Sequence, residues 1–260
     1  MKAIEIIEKL FALADDIDYS KSCDKCIAGD NNADVTKVAV TMFPSPEVIK
    51  AAKNWGAELF IAHEPYYHCP AEENDPVDAA KRKLITESGM TFYRYHDHTH
   101  YTTPDIIAAG EFRQLGLKGR LETTDTFDLV RFHLDAPLTA MELAKIIEEK
   151  CGIKHVRICG VTDNPCSVIS GVFGAANKVS FAELTNPRSE ILLVGENTEW
   201  LHAEYTRDAA QLGFNKSLII MGHAGSERDG MKYTADILSD MFPEIEVKYF
   251  ECGEVYTYTH

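Results

Sequence analysis

Three stretches of this chain end an apolar or aromatic run in histidine and carboxylate residues. They are Leu59-Phe60-Ile61-Ala62-His63-Glu64, Tyr93-Arg94-Tyr95-His96-Asp97-His98-Thr99-His100 and Leu218-Ile219-Ile220-Met221-Gly222-His223-Ala224-Gly225-Ser226-Glu227. A single His-Glu pair after a strand is more often a hydrogen-bonded surface pair than a ligand pair. Three strand ends with the same chemistry are hard to explain as surface composition. Imidazole and carboxylate donors with no thiolate suit zinc, manganese, iron or cobalt rather than a structural zinc finger. The candidate ligands are His63, Glu64, His100, His223 and Glu227. Five ligands exceed the needs of one open zinc site, so we expect two divalent ions sharing a carboxylate. Such a pair can lower the pKa of a bridging water and clamp both oxygens of a hydrolysed bond. His68, His96, Asp97, His98 and Glu196 are expected to stand behind the ligands, orienting them or relaying protons.

The elements that must position these residues are legible from apolar periodicity and punctuation. Ala3 to Ala14 reads as an amphipathic helix. Val35 to Met42 alternates as a strand. Ser45 then serves as N-cap and Pro46 as first helical residue of a helix to Trp55, closed by Gly56. Glu58 to Ala62 is the next strand, giving a βαβ unit with parallel strands and a right-handed crossover. Pro65 stops a continuing central strand, so His63 and Glu64 are released to converge on one ion or on two. Asp75-Pro76 opens a helix to Ser88, and Met90 to Tyr95 is a third strand running into the histidine turn. Pro104-Asp105 opens a helix to Leu115. Parallel strands share their carboxyl edge, which puts His63, Glu64, His96, His98 and His100 along one crevice.

The pattern restarts after a boundary near Glu122 to Asp125. Phe127 to Leu134, Val156 to Cys159, Val168 to Phe173, Ile191 to Val194 and Ser217 to Met221 read as strands. Thr139 and Glu142 form a capping box for a helix to Cys151. Glu196 follows a strand end directly. His223 and Glu227 are four apart, so a helix beginning there carries them on one face. The last helix reads as Met231 to Met241 and the last strand as Val247 to Phe250. The run Gly171-Val172-Phe173-Gly174-Ala175-Ala176 lacks the spacing of a nucleotide loop and reads as a tight strand-to-helix turn. Cys23-Asp24-Lys25-Cys26 lies in an acidic loop. With no second CxxC, it reads as two incidental thiols rather than half a zinc site.

The 260 residues carry 26 basic and 41 acidic side chains, a net charge of −15. No basic patch is present, so neither nucleic acid nor an anionic membrane is an expected partner. No apolar run reaches spanning length, and Met1-Lys2-Ala3-Ile4-Glu5 has no signal-peptide pattern. Seven scattered cysteines do not form a secreted disulfide framework. The expected setting is reducing and cytoplasmic.

Three motifs, in order, resemble the GTP cyclohydrolase 1 type 2 family, the Nif-three-like dinuclear metal-centre proteins. In that family a strand ends in His-His-Pro, a later one in a His-x-x-x-Asp run, and the C-terminal motif is Gly-His-x-x-x-Glu-x-x-Gly. Here they read Ala62-His63-Glu64-Pro65, then His96-Asp97-His98-Thr99-His100 with Pro104, then Gly222-His223 through Glu227 to Gly230. The Gly195-Glu196 turn and the Gly171-to-Gly174 run are similar as well. Two positions depart: Glu64 stands where the family has its second His, and His100 where it has a ligand Asp.

The resemblance implies an α/β fold in two lobes, 1–123 and 124–260, with mixed and parallel sheets and a metal site in the cleft between them. It also implies a toroidal homo-hexamer. The expected function is metal-dependent hydrolysis of a small phosphorylated or nucleotide-like substrate. The alternative is a non-catalytic metal-binding or partner-binding protein.

Overall fold

The structure, a computed structural model, describes residues 1–15, 17–64 and 75–259. The chain divides into two compact units, Met1–Thr103 with Met231–His260, and Pro104–Gly230. Each is an α/β unit with its own mixed sheet.

The first unit is built on strands β1 (Lys25–Ala28), β2 (Lys37–Thr41), β3 (Leu59–Ala62), β4 (Thr91–Arg94) and the late strand Glu246–Tyr249. Their order is β1-β4-β3-β2 and then the late strand, and all pairs are parallel except β1 with β4. Helix α1 (Ala3–Phe11) buries Ile6, Ile7 and Leu10. Helix α2 (Pro46–Trp55) starts where Ser45 Oγ accepts the Val48 N–H and stops at Gly56, φ +90°. Helix α3 (Pro76–Ser88) has Asp75 as its cap. One face of the sheet packs Ala39, Phe60, Ala62 and Phe92 against Val48, Ile49, Ala52 and Ile85. Phe60 and Phe92 stack with centroids 4.6 Å apart. Thus β2, α2 and β3 form the expected βαβ unit.

The histidine turn after β4 folds as one short helical turn, α4 (Asp97–His100). Two strands escape the sequence reading. β1 runs through the CxxC loop as an edge strand of half-buried residues, with no apolar alternation to betray it. β5 (Gly119–Thr123) falls where a boundary is expected.

The second unit begins with α5 (Ile106–Leu115), capped by Asp105 Oδ1 on the Ala108 N–H. Its six-stranded sheet uses β5, β6 (Val130–Leu138), β7 (Arg157–Gly160), β8 (Cys166–Val172), β9 (Ile191–Val194) and β10 (Ser217–Ile220), in the order β5-β6-β8-β9-β10-β7. β8, β9 and β10 are parallel, and the other pairs antiparallel. Helix α6 (Ala140–Cys151) carries the Thr139–Glu142 capping box. Helix α7 (Asn177–Thr185) follows β8. A π-helical turn, Glu199–Ala203, leads into α8 (Glu204–Gln211). The core joins Leu129, Val172, Leu184, Leu192, Val194, Leu218 and Ile220.

The last helix, α9 (His223–Met241), is continuous over 19 residues, whereas the sequence places it from Met231. Gly230 is not a break. A Cβ there would lie 2.4 Å from Ile107 Cα, and one on Gly110 would lie 2.5 Å from Gly230 Cα. The glycines let two helices approach closely. Inside α9 the chain returns to the first unit, and the following strand, β11 (Glu246–Tyr249), pairs with β2. The units therefore divide the chain at Thr103/Pro104 and Gly230/Met231 rather than at 123/124.

Candidate metal centre

In the first unit the site grows from the carboxyl ends of β3 and β4. The pairing of β3 with β2 continues past Ala62: the His63 N–H donates to Thr41 O at 3.2 Å and the Glu64 N–H to Met42 O at 3.0 Å. His63 is fully buried and Glu64 nearly so. His63 Nδ1 lies 3.1 Å from the Tyr95 carbonyl. A carbonyl only accepts, so Nδ1 carries the proton and the Nε2 lone pair is the coordinating atom. His96 is held the same way, with Nδ1 2.9 Å from Asp97 Oδ1. Burial works to raise the Asp97 pKa. Hydrogen bonds from the His96 ring and from the Cys23 amide and thiol outweigh it and hold the carboxyl well below the usual range.

His63, His96 and His100 offer ring nitrogens within 4.8 Å of one another. Their ring centroids are separated by 4.4 Å (His63–His96), 5.1 Å (His96–His100) and 5.3 Å (His63–His100). With a zinc–nitrogen bond of about 2.0–2.1 Å, a bound ring has its centroid about 3.2 Å from the ion. Two such rings at about 90–110° then have centroids about 4.5–5.2 Å apart. The three observed separations match this within about 0.1 Å, so the rings are spaced as three ligands of one first-row divalent ion would be. Glu64 stands beside it, its Oε1 4.0 Å from His96 Nε2 and its Oε2 3.7 Å from Arg94.

The sequence reading gave His96 a supporting role. The structure puts it within ligand range of His63 and His100. His98 is separate: it is buried, its ring stacks on Phe11 at 3.8 Å, and its Nδ1 bonds Asp24 Oδ2 at 2.6 Å. His68 and Pro65 lie outside the described residues. Nor is Cys23 incidental, because its amide and thiol both donate to Asp97, at 2.8 and 3.1 Å. Burial, followed by that hydrogen bond to Asp97, pushes the thiol pKa far up.

In the second unit the turns after β8, β9 and β10 interlock. The Glu196 N–H donates to Gly174 O at 2.7 Å and the Gly222 N–H to Gly195 O at 3.0 Å. Ser226 Oγ accepts from the Gly174 N–H at 3.0 Å and donates to His223 O at 2.9 Å. His223 opens α9 with Nδ1 2.7 Å from Glu196 Oε1 and Nε2 3.2 Å from Glu227 Oε2. Glu196 thus anchors the ring from behind while Nε2 and the buried Glu227 face one another, as in a carboxylate-backed histidine ligand. The glycine run has its explanation here. A Cβ on Gly174, φ +61°, would lie 2.4 Å from Glu227 Oε1. The run makes room for the Glu227 carboxylate.

Another donor group of this unit, Glu111, Cys151 and Asp229, is fully buried. Glu111 Oε1 accepts the Asp229 N–H at 2.9 Å, and the Arg228 guanidinium bonds the Cys151 carbonyl. Burial, then the Asp229 charge, raises the Glu111 pKa well above normal.

The five expected ligands fall into two sets: His63, Glu64 and His100 in the first unit, and His223 and Glu227 in the second. His96 joins the first, and Asp24 and Cys23 were missed. The adjacency of His96 and Asp97 was the sequence signal for His96. Asp24 acts on residues more than seventy positions away, and no local pattern marks it.

The sequence profile of the Duf34/NIF3 (NGG1p interacting factor 3) family matches residues 1–254. A GTP cyclohydrolase 1 type 2 homolog of Clostridium perfringens is 22% identical over 208 residues, covering 77% of each chain. Among solved structures, the protein ybgI, described as of unknown function, superposes with a TM-score of 0.79 at 19% identity, over 98% of this chain and 100% of that one. A Bacillus cereus protein related to NIF3 gives a TM-score of 0.76 at 12% identity, over 100% and 99%. The fold is shared at this level, and by the match along nearly its whole length the chain belongs to the Duf34/NIF3 family.

Proposed function

We propose that this chain is a metal-dependent hydrolase acting on a small phosphorylated or nucleotide-like molecule, with two divalent ions of zinc, iron or manganese. The observation that carries the reading is the group His63, His96 and His100, with ring separations that suit one ion. The ligand set we assign is His63, Glu64, His96 and His100 from the first unit and His223 and Glu227 from the second. Divalent ions held by these donors would supply Lewis acidity and lower the pKa of water. The chain's own residues supply orientation. The Tyr95 carbonyl and Asp97 keep protons on Nδ1 of His63 and His96, and Glu196 holds the His223 ring at Nδ1. Arg94 offsets part of the Glu64 charge. The name of the Clostridium perfringens relative supports a nucleotide-like substrate.

We extend the proposal to a cytoplasmic homo-hexamer with a small-molecule substrate and neither nucleic acid nor membrane as partner. Among the described residues no helix is long and apolar enough to cross a membrane. Light scattering on the eluting protein should read about six times the 29.1 kDa chain mass.

The test of function is a screen of chain stripped of metal and reloaded with zinc, iron or manganese, against nucleotides and phosphoesters. Turnover that scales with metal content supports the proposal. Tight metal with no turnover across the panel overturns hydrolysis in favour of a binding role.

A further inference from the structure

The Cys23-Asp24-Lys25-Cys26 stretch has a use that its thiols do not explain. Asp24 has a fully buried side chain, and both of its oxygens face the histidine turn. Oδ1 accepts the His96 N–H at 2.6 Å. Oδ2 accepts the His98 N–H at 2.9 Å and His98 Nδ1–H at 2.6 Å. Next to it, the Cys23 amide and thiol hold Asp97, which in turn holds His96 Nδ1. Beyond the turn, His98 is pinned by stacking on Phe11 at 3.8 Å and by Tyr19 at 4.9 Å.

We infer that Asp24 is the positioning residue of the metal-binding turn: its carboxylate fixes the backbone and ring that set where His96 and His100 point. The physical case rests on three donors converging on one buried carboxylate. Charge-assisted hydrogen bonds of this kind are about twice as strong as neutral ones. The turn they hold is short, α4 being only four residues long, and Asp24 ties its first backbone N–H groups together, beside the Thr99 Oγ1 bond to the His96 carbonyl and the Cys23 bonds to Asp97. His98 then serves as an anchor, and its imidazole is spent on the clamp. This inference rests on the metal reading of His63, His96 and His100, and adds a residue to it from a loop that bears none of the ligands.

Asp24→Asn is the discriminating variant. Asparagine has one acceptor oxygen and one NH2 donor, and both positions face donors, so either orientation sets N–H against N–H. The readouts are cobalt(II) affinity and visible spectrum, and the 15N shifts of His96 and His98 in the metal-free protein. Loss of a partner that orients a ligand costs about 10–100-fold in metal affinity. We expect such a loss in Asp24→Asn, with an altered cobalt spectrum and shifted ring nitrogens for both histidines. Asp18→Asn, in the same loop but exposed and bonded to Ser20 and Lys21, should match the parent.

A purely structural Asp24 would lower the denaturation midpoint and leave affinity, spectrum and ring shifts of the folded protein unchanged, which overturns the inference. If Asp24→Asn does not fold, Cys23→Ala decides. It removes one donor to Asp97 and should weaken cobalt binding in the same direction by a smaller factor, while unchanged affinity overturns the clamp. A parent that takes up no metal sinks the proposed function. The clamp is then judged by the ring shifts alone, which must move for His96 and His98 and stay fixed for His202, a buried histidine of the second unit bonded to Ser180.

Discussion

His63 Nδ1 and the Tyr95 carbonyl oxygen lie 3.1 Å apart, and this single contact sets which nitrogen of a fully buried histidine can bind an ion. The acceptor is a backbone atom at the end of β4, so the ring is oriented by the sheet itself. His63→Gln keeps a polar side chain of similar reach but removes the imidazole. We predict that its metal affinity falls by more than about 100-fold, beyond the loss expected for an orienting partner, while the metal-free protein keeps its thermal midpoint within a few degrees. Titration with zinc followed by a competing chelator checks it. Unchanged affinity would remove His63 from the ligand set.

Gly174→Ala should be costly at a position with no ligand atom of its own. The residue has φ +61°, and a Cβ would meet Glu227 Oε1 at 2.4 Å. Backbone strain of this kind costs about 1–3 kcal/mol, and Glu227 must move besides. The expected result is a lower unfolding midpoint together with weakened metal binding. A variant that matches the parent in calorimetry and in metal content would show that the glycine run does not make room for Glu227.

Glu111→Gln should stabilise the protein, increasingly so as pH rises. Glu111 is buried beside Asp229, with its pKa raised. The folded form therefore keeps a proton that the unfolded chain has already lost. Stability from this group is full below the ordinary glutamate value and falls as pH climbs towards the raised one, by about 1.4 kcal/mol per pH unit within that window. Glutamine copies the protonated shape and does not titrate. Denaturant melts at several pH values should give curves for parent and variant that converge in acid and separate towards neutral pH. Parallel curves would mean that Glu111 is ionised in the fold.

The contrast between what was legible and what was not follows from range. Ser45, Pro46 and Gly56 bracket α2 within a dozen residues, and each acts on its own backbone, so the βαβ unit could be read from the sequence. The apolar run Leu59 to Ala62 likewise announces a strand buried on both faces. The early start of α9 is hard to read locally because glycine, the residue type that ends helices, also permits close helix crossing, and at Gly230 only the partner, Ile107 beside Gly110, tells which. β1 lies at a sheet edge with half-buried residues and carries no alternation. The histidines and carboxylates could be named as donors from strand-end chemistry. Their ranking could not, because His96 owes its place to Asp97 and Cys23, and Asp24 works across more than seventy residues of chain.

Metal analysis of protein purified without a polyhistidine tag tests the central claim most directly. Scattered surface side chains would bind weakly and wash out, whereas converging buried and half-buried imidazoles and carboxylates retain an ion through dialysis. The account predicts about two equivalents of zinc, iron or manganese per chain, retained after dialysis and lost together with activity on chelation. Protein that elutes metal-free, and takes up no stoichiometric ion when zinc, iron and manganese are each supplied, would contradict it.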